Sequence, residues 1–415
     1  MGLGAAATYR CGGVAPLAPP PPLRQKDATK NARKPLAQSE SVSDMLTPQL
    51  EIQLIAVVTA VACALPGVFL VLRRMALMSD AITHAVLLGI VLAFFVVQDT
   101  ASPALMVAAA ATGVLTVVLV ELLSRTQLVR EDAAIGLVFP ALFSIAVILI
   151  SRYAGDTHLD TDAVLLGELA FAPFERFEAL GYDLGPQALW VMGSILLLGA
   201  LFVGLLYKEL KLSTFDAGLA AALGLSPALV HYSLMTLVSV TAVGAFDTVG
   251  SVLVVALMVA PPAAAYLLTD RLSHMLGLSA LIGAASAVAG YWLASALDAS
   301  IAGAMATMAG VAFVLAWLFA PQRGLAAGVL RRVRQRREFA ELMLAVHLLN
   351  HERTPSEVEE SSVSHLGEHL RWGQAQVLEV VRRAERRGLV TRRGDGLTLT
   401  EQGRELAGQM LAAHG

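Results

Sequence analysis

RRMALMSDAITHAVLLGIVLAF, residues 73–94, is the stretch on which the rest of the chain turns. Two arginines close one apolar segment, and a second begins within a few residues. Near the start of that second segment stand Asp80 and His84. Four residues apart on a helix places them on one face, a turn apart. A carboxylate oxygen and an imidazole nitrogen can then converge on one point inside a membrane, where ionisable groups are costly and mark substrate or ion paths. The structural alternative is that Asp80 caps the helix and His84 hydrogen-bonds a neighbouring helix.

The composition supports a membrane setting for that stretch. Of 415 residues, 56% are hydrophobic and 15% charged, more apolar than a soluble chain of this length. Runs of roughly 20 apolar residues match bilayer thickness, and about nine spans are expected: 51–72, 78–98, 102–124, 132–152, 187–207, 227–246, 249–268, 277–297 and 301–320. The fold class is therefore an all-α polytopic membrane protein. Cys11 and Cys63 are the only cysteines, which argues against a disulfide framework or a thiolate zinc site.

Basic loop residues orient the spans. Arg73 and Arg74, Arg125 and Arg130, Lys208 and Lys211, Arg271, and the run from Arg323 to Arg337 all fall on one side. The positive-inside rule makes that side cytoplasmic, with the C-terminus inside a plasma membrane and residues before 51 outside. The opposite loop, 153–185, is acidic. Residues 1–44 carry a PPPP run and scattered Arg and Lys but no apolar signal core. They read as a disordered tail or a start assigned too early, with Met45 the natural start, since translocating a basic tail opposes the same rule.

Small residues recur within the spans. GAASAVAG (283–290) and GAMATMAG (303–310) suit close backbone approach, while Pro140, Pro261 and Pro262 interrupt spans, either as in broken helices beside transporter cavities or as the proline kinks common in membrane helices. After the membrane region, 45–320, comes a basic linker, 321–337, suited to anionic lipid headgroups. Residues 338–415 are soluble in composition: helices are expected at 338–350, near 362–370 and at 373–387, then a hairpin turning at Gly394-Asp395-Gly396. That order predicts a small C-terminal winged helix-turn-helix domain, usually a nucleic-acid binder.

The stretch at 73–94 resembles the signature of the permease subunits of ABC importers for manganese, zinc and iron. REDAAIGLVFPALFSIAVIL (130–149), THLDTDAVLLGELAF (157–171), KELKLSTFDAGLAAALGL (208–225) and VGSVLVVALMVAPPAAAYLLTDRL (249–272) agree in order. The resemblance implies a homodimer or a pair with a sister permease, a cytoplasmic ATP-binding subunit and an external metal-binding protein. It implies no permanently bound cofactor, only a transported divalent metal ion. The chain has no G-x-x-x-x-G-K-[ST] loop, so ATP hydrolysis belongs to another chain and this one is not an enzyme. By the resemblance, Phe215, Asp216, Ala220 and Gly224 match a coupling helix that docks the ATPase; an ordinary interfacial helix is the other reading. Asp80 and His84 match metal-coordinating positions, with an oxygen and an imidazole donor suited to Mn²⁺, Fe²⁺ or Zn²⁺. With helix from Arg74 they would lie about 9 and 15 Å along the axis, shallow for a midplane site.

Asp247 either lines the outer mouth or caps the next helix. His158, Asp160 and Asp162 either attract cations or contact the donor protein, or belong to a solvated loop. GLVTRRGDGLTLTEQGRELA (388–407) resembles the wing and following helix of metal-dependent repressors of the diphtheria-toxin-repressor type. By that resemblance Glu341 and His414 take two metal-ligand places while Leu344 takes a third, and Arg382, Arg383, Arg386 and Arg387 are possible nucleic-acid contacts. The repressor-like tail favours manganese as cargo. The competing functions are a membrane-tethered, metal-responsive transcription regulator and a permease for siderophore or cobalamin.

Overall fold

In a computed structural model the described residues are 48–98, 102–153, 169–179 and 182–414; the tail 1–44 and His158, Asp160 and Asp162 lie outside them. The membrane part comprises α1 Pro48–Leu72, α2 Ala76–Val97, α3 Pro103–Arg125, α4 Glu131–Tyr153, α5 Gln187–Leu205, α6 Tyr207–Phe215, α7 Ala217–Ala222, α8 Pro227–Val249, α9 Ser251–Leu268, α10 Leu272–Leu297 and α11 Ile301–Phe319. Among the described residues, nine of these helices, all but α6 and α7, are long and apolar enough to cross a membrane. They coincide with the nine expected spans to within a few residues, except that α10 begins five residues early.

α1 is central, packed by α5, α8, α9 and α10, while α2 packs on α3 and α4. α1 ends because the chain turns left-handed at Arg74 (φ +63°). Arg74 N–H donates to the Val71 carbonyl and Met75 N–H to that of Leu70, the paired bonds that satisfy a helix C-terminus when the next residue is left-handed. α2 therefore starts only at Ala76, one turn below Asp80.

Close packing uses the small residues. A Cβ on Gly290 would fall 2.4 Å from the Met305 Cα, so the two Gly/Ala-rich stretches do meet, between α10 and α11. A Cβ on Gly67 would lie 2.2 Å from the Met258 carbonyl oxygen. That oxygen precedes Pro262 by four residues, so Pro262, lacking an N–H, leaves it without its usual helical donor. The prolines in α4 and α9 do not break their helices.

The connection before α5, which carries no periodicity of its own, holds a hairpin. β1 Arg176–Ala179 pairs antiparallel with β2 Tyr182–Pro186, and Arg176 reaches the buried Glu51 carboxylate at 3.3 Å and Asp183 at 2.6 Å. On the other face, Arg323 pairs with Asp270 and lies 4.5 Å over the Tyr266 ring, tying the α11 exit to the α9–α10 turn.

The expected linker and first soluble helix are one element, α12 Leu325–His351. The run from 329 to 351 contains no Gly or Pro and is rich in Arg, Leu, Glu and Ala, all good helix formers. α13 Glu357–Glu360, α14 Leu366–His369, α15 Gln374–Arg386, a hairpin of β3 Val390–Arg393 and β4 Gly396–Leu399, and α16 Glu401–His414 follow. They enclose a separate core of Leu344, Leu348, Leu366, Val377, Val380, Val381 and Leu397.

Candidate functional site

The Asp80–His84 pair lies inside α2, whose N-cap is Met75, so Asp80 is not a helix cap. Taking Ala76 as the origin, the two residues stand about 6 and 12 Å along a helix of about 33 Å. The pair is off the midplane and nearer the end marked by Arg73. His84 Nε2 and Asp80 Oδ1 are 3.4 Å apart, with the two side chains 28% and 38% exposed. The imidazole is held from the α4 side: the Phe139 ring stacks at 5.8 Å and Phe143 meets it edge-on at 5.9 Å. These phenylalanines, one turn apart on the facing helix, were not anticipated; their i,i+4 spacing was the available signal.

A separation of 3.4 Å is long for a neutral hydrogen bond. It equals the distance between two donors on one tetrahedral ion with bonds of about 2.1 Å. In this single chain the pair is half-buried on the flank of α2.

Just below the pair, Arg73, in the turn from α1 to α2, reaches the segment between α5 and α8. Its guanidinium donates to Ser213 Oγ at 2.9 Å and Thr214 Oγ1 at 3.2 Å, both in α6, and meets His231 Nδ1 in α8 at 3.2 Å. Arg can only donate, so His231 Nδ1 accepts and that ring's proton sits on Nε2. The contact also places the starts of α2 and α8 at one level. Asp247, about 30 Å along α8, is thus near the opposite face and is not brought to the pair; it is exposed and followed by two more helical residues, so it caps nothing.

In the α6–α7 segment Asp216 is the N-cap of α7, its Oδ1 accepting from Leu219 N–H at 2.9 Å. Gly224 ends α7 with φ +85°, a conformation glycine adopts without strain. Phe215, Leu219 and Leu223 are exposed, whereas Ala220 is fully buried. The outward apolar stripe therefore runs through Leu219, which sequence alone did not single out, rather than Ala220.

Residues 49–320 match the model of the ABC 3 transport family. The chain belongs to that family. Curated members similar to it include the zinc transport system membrane protein TroD of Treponema pallidum (strain Nichols), 51% identical over 358 residues, covering 86% of this chain and 97% of TroD. The manganese transport system membrane protein MntD of Bacillus subtilis (strain 168) is 49% identical over 284 residues, 68% of this chain and 96% of MntD. A 358-residue match cannot fit within residues 1–320, so likeness to TroD runs on into the segment after α11. Among solved structures, PsaBC from Streptococcus pneumoniae in complex with Fab matches with TM-score 0.56 and 25% identity, covering 68% of this chain and 94% of the other. The family member described here is a multi-pass membrane protein of the bacterial plasma membrane and a permease subunit of an ABC transport system.

The residues singled out after α11 are placed as follows. Glu341 is buried and its Oε2 accepts from Arg387 Nη1 at 2.7 Å, so a suggested metal ligand and a suggested nucleic-acid contact are paired with each other. Leu344 is fully buried core. His414 closes α16, and its side chain lies outside what is described. Arg383 is tied to Glu379 at 3.3 Å, whereas Arg382 and Arg386 are exposed.

Proposed function

We propose that this chain is the permease subunit through which a first-row divalent cation, Mn²⁺ or Zn²⁺, is imported at the expense of ATP hydrolysed by a separate cytoplasmic subunit. The single observation that carries the metal pathway is the Asp80–His84 donor pair, 3.4 Å apart and half-exposed on a membrane helix. The names of TroD and MntD support a zinc or manganese cargo at nearly equal identity. Two donors per chain leave a divalent ion under-coordinated, so a second copy or a sister permease supplies the remaining ligands and shields the pair from lipid.

The cytoplasmic partner docks on Phe215, Leu219 and Leu223, an apolar stripe at helix spacing suited to a groove on another protein. Arg73 then links that dock to the helix that holds the ion. An external binding protein delivers cargo on the β1–β2 side. The positive-inside rule places the C-terminus in the cytoplasm.

Residues 338–415 form a winged-helix module with a regulatory role. Support comes from the β3–β4 hairpin, from the antiparallel bridge Ser362–Gly396 that adds a third strand position, and from α15 preceding the hairpin. A DNA-reading role is disfavoured because two of the four arginines are engaged in ion pairs.

The test is ATP-dependent uptake of Mn²⁺ and Zn²⁺ into vesicles carrying the chain with its ATPase and partner permease. Uptake is expected in wild type and lost in His84→Ala with the complex still assembled. Wild-type uptake by that variant would refute the pathway.

A further inference from the structure

Away from the membrane pair, three histidines surround one carboxylate where α12 meets α13 and α14. His347 and His351, a turn apart at the end of α12, have ring centroids 4.8 Å apart. His347 Nε2 lies 3.5 Å and His369 Nε2 3.4 Å from Glu360 Oε2. His347 and Glu360 are 11% and 13% exposed, and Glu360 Oε2 is buried with no hydrogen-bond partner. A carboxylate oxygen left unsatisfied inside a fold costs stability unless something fills the gap.

From this geometry we infer that His347, His351 and Glu360, with His369 as a fourth donor, form a second binding site for a Zn²⁺-class divalent cation. Donor atoms of His347, His351 and Glu360 all fall within 4.8 Å of one another. Tetrahedral zinc with nitrogen and oxygen bonds near 2.1 Å sets donors about 3.4 Å apart, so no pair among these three closes by more than about 1.5 Å. Rotation of the two α12 imidazoles about their side-chain torsions covers that distance. His347 Nε2 now lies 3.2 Å from the Glu360 backbone oxygen; ligation through it uses the tautomer with the proton on Nδ1.

Three imidazoles and one carboxylate, without sulfur, suit Zn²⁺ over Mn²⁺, because borderline nitrogen donors follow the Irving–Williams order. The ion would clamp the end of α12, which follows the last membrane helix after a turn at 320–324, to the segment 357–369. Metal occupancy would thereby reach the permease through α12 and its packing on α11. The chemistry of the cluster is independent of the transport reading; only its exposure to the cytoplasmic metal pool rests on that reading.

The experiment measures Zn²⁺ alone binding to the full chain in lipid nanodiscs, by equilibrium dialysis and by the visible spectrum of Co²⁺ as a substitute. An Asp80→Ala/His84→Ala chain removes the membrane pair and is expected to retain one Zn²⁺. Adding His347→Gln and His351→Gln is expected to weaken that binding by at least ~100-fold, the upper range for losing even a supporting partner of a ligand. Glu360→Gln, isosteric and gentle on the fold, is expected to abolish the tetrahedral Co²⁺ band. Loss of all Zn²⁺ from the Asp80→Ala/His84→Ala chain, or unchanged affinity in the His347→Gln/His351→Gln chain, overturns the inference. Should the multiply substituted chain fail to fold, amide exchange of 352–370 in wild type decides: slowing by Zn²⁺ supports the site, and no change refutes it.

Discussion

Arg73→Ala tests how the helix carrying Asp80 and His84 is mechanically tied to the segment proposed to meet the ATPase. The side chain makes three polar contacts, to Ser213, Thr214 and His231, two of them on α6. A hydrogen bond from a charged donor contributes about 1.5–3 kcal/mol, less where water competes. With Arg73 only partly buried, we take about 1–1.5 kcal/mol for each of the two α6 bonds, so α6 loses about 2–3 kcal/mol of docking. Local opening at that cost raises amide exchange by roughly 30- to 150-fold, since about 1.4 kcal/mol is a factor of ten. The assay is hydrogen exchange of residues 207–215 in the full chain, in lipid. Arg73→Lys keeps the charge but loses the planar fork and is expected to fall between wild type and alanine. Unchanged exchange over 207–215 in Arg73→Ala would refute the strut. In the assembled transporter, the same variant is expected to keep ATP hydrolysis while losing more uptake than hydrolysis.

Other outcomes follow from packing and charge. Gly67→Ala sets a methyl against the Met258 carbonyl, where 2.2 Å is available; overpacking of that kind costs about 1–3 kcal/mol, read as a lower thermal midpoint of the full chain, and a neutral result would mean that α1 and α9 separate freely. Arg387→Ala strands the buried Glu341 carboxylate and is expected to cost about 1–3 kcal/mol, while Arg382→Ala, exposed, stays within about 0.5 kcal/mol; equal effects would contradict the pairing. The Ser362 and Ser364 hydroxyls on Asp395 hold its carboxyl below the usual carboxylate range. Its contribution is therefore present above about pH 3.9, the unfolded value, and is lost as pH falls through the lower folded value. Exchange of the Val363 and Leu397 amides should accelerate in that acid window in wild type and become insensitive to it in Asp395→Ala.

The membrane fold was legible because its signal is local. Twenty apolar residues between loop charges make a span whatever lies elsewhere, and Arg73–Arg74 marked the end of α1. Contacts made across long sequence separation were not legible. Arg73 finds Ser213 and His231 only because the ends of α1 and α6 and the start of α8 lie at one level, and Glu51 finds Arg176 only once the β1–β2 hairpin has formed beside α1. The join between linker and soluble domain was missed because a basic run was taken as a boundary, although nothing in it stops a helix. In the C-terminal segment, resemblance directed notice to Glu341 and His414, while the His347–His351 pair went unread. Its partners Glu360 and His369 come from two short helices that no periodicity announces.

The most direct measurement concerns the ion itself: nitrogen hyperfine coupling to Mn²⁺ bound by the intact transporter, in a His347→Gln/His351→Gln background that removes the second cluster. Coupling to imidazole nitrogen is expected there and is expected to vanish when His84→Ala is added, with the assembly intact. Imidazole coupling that survives His84→Ala, or none in the parent, would contradict passage of the cation between Asp80 and His84.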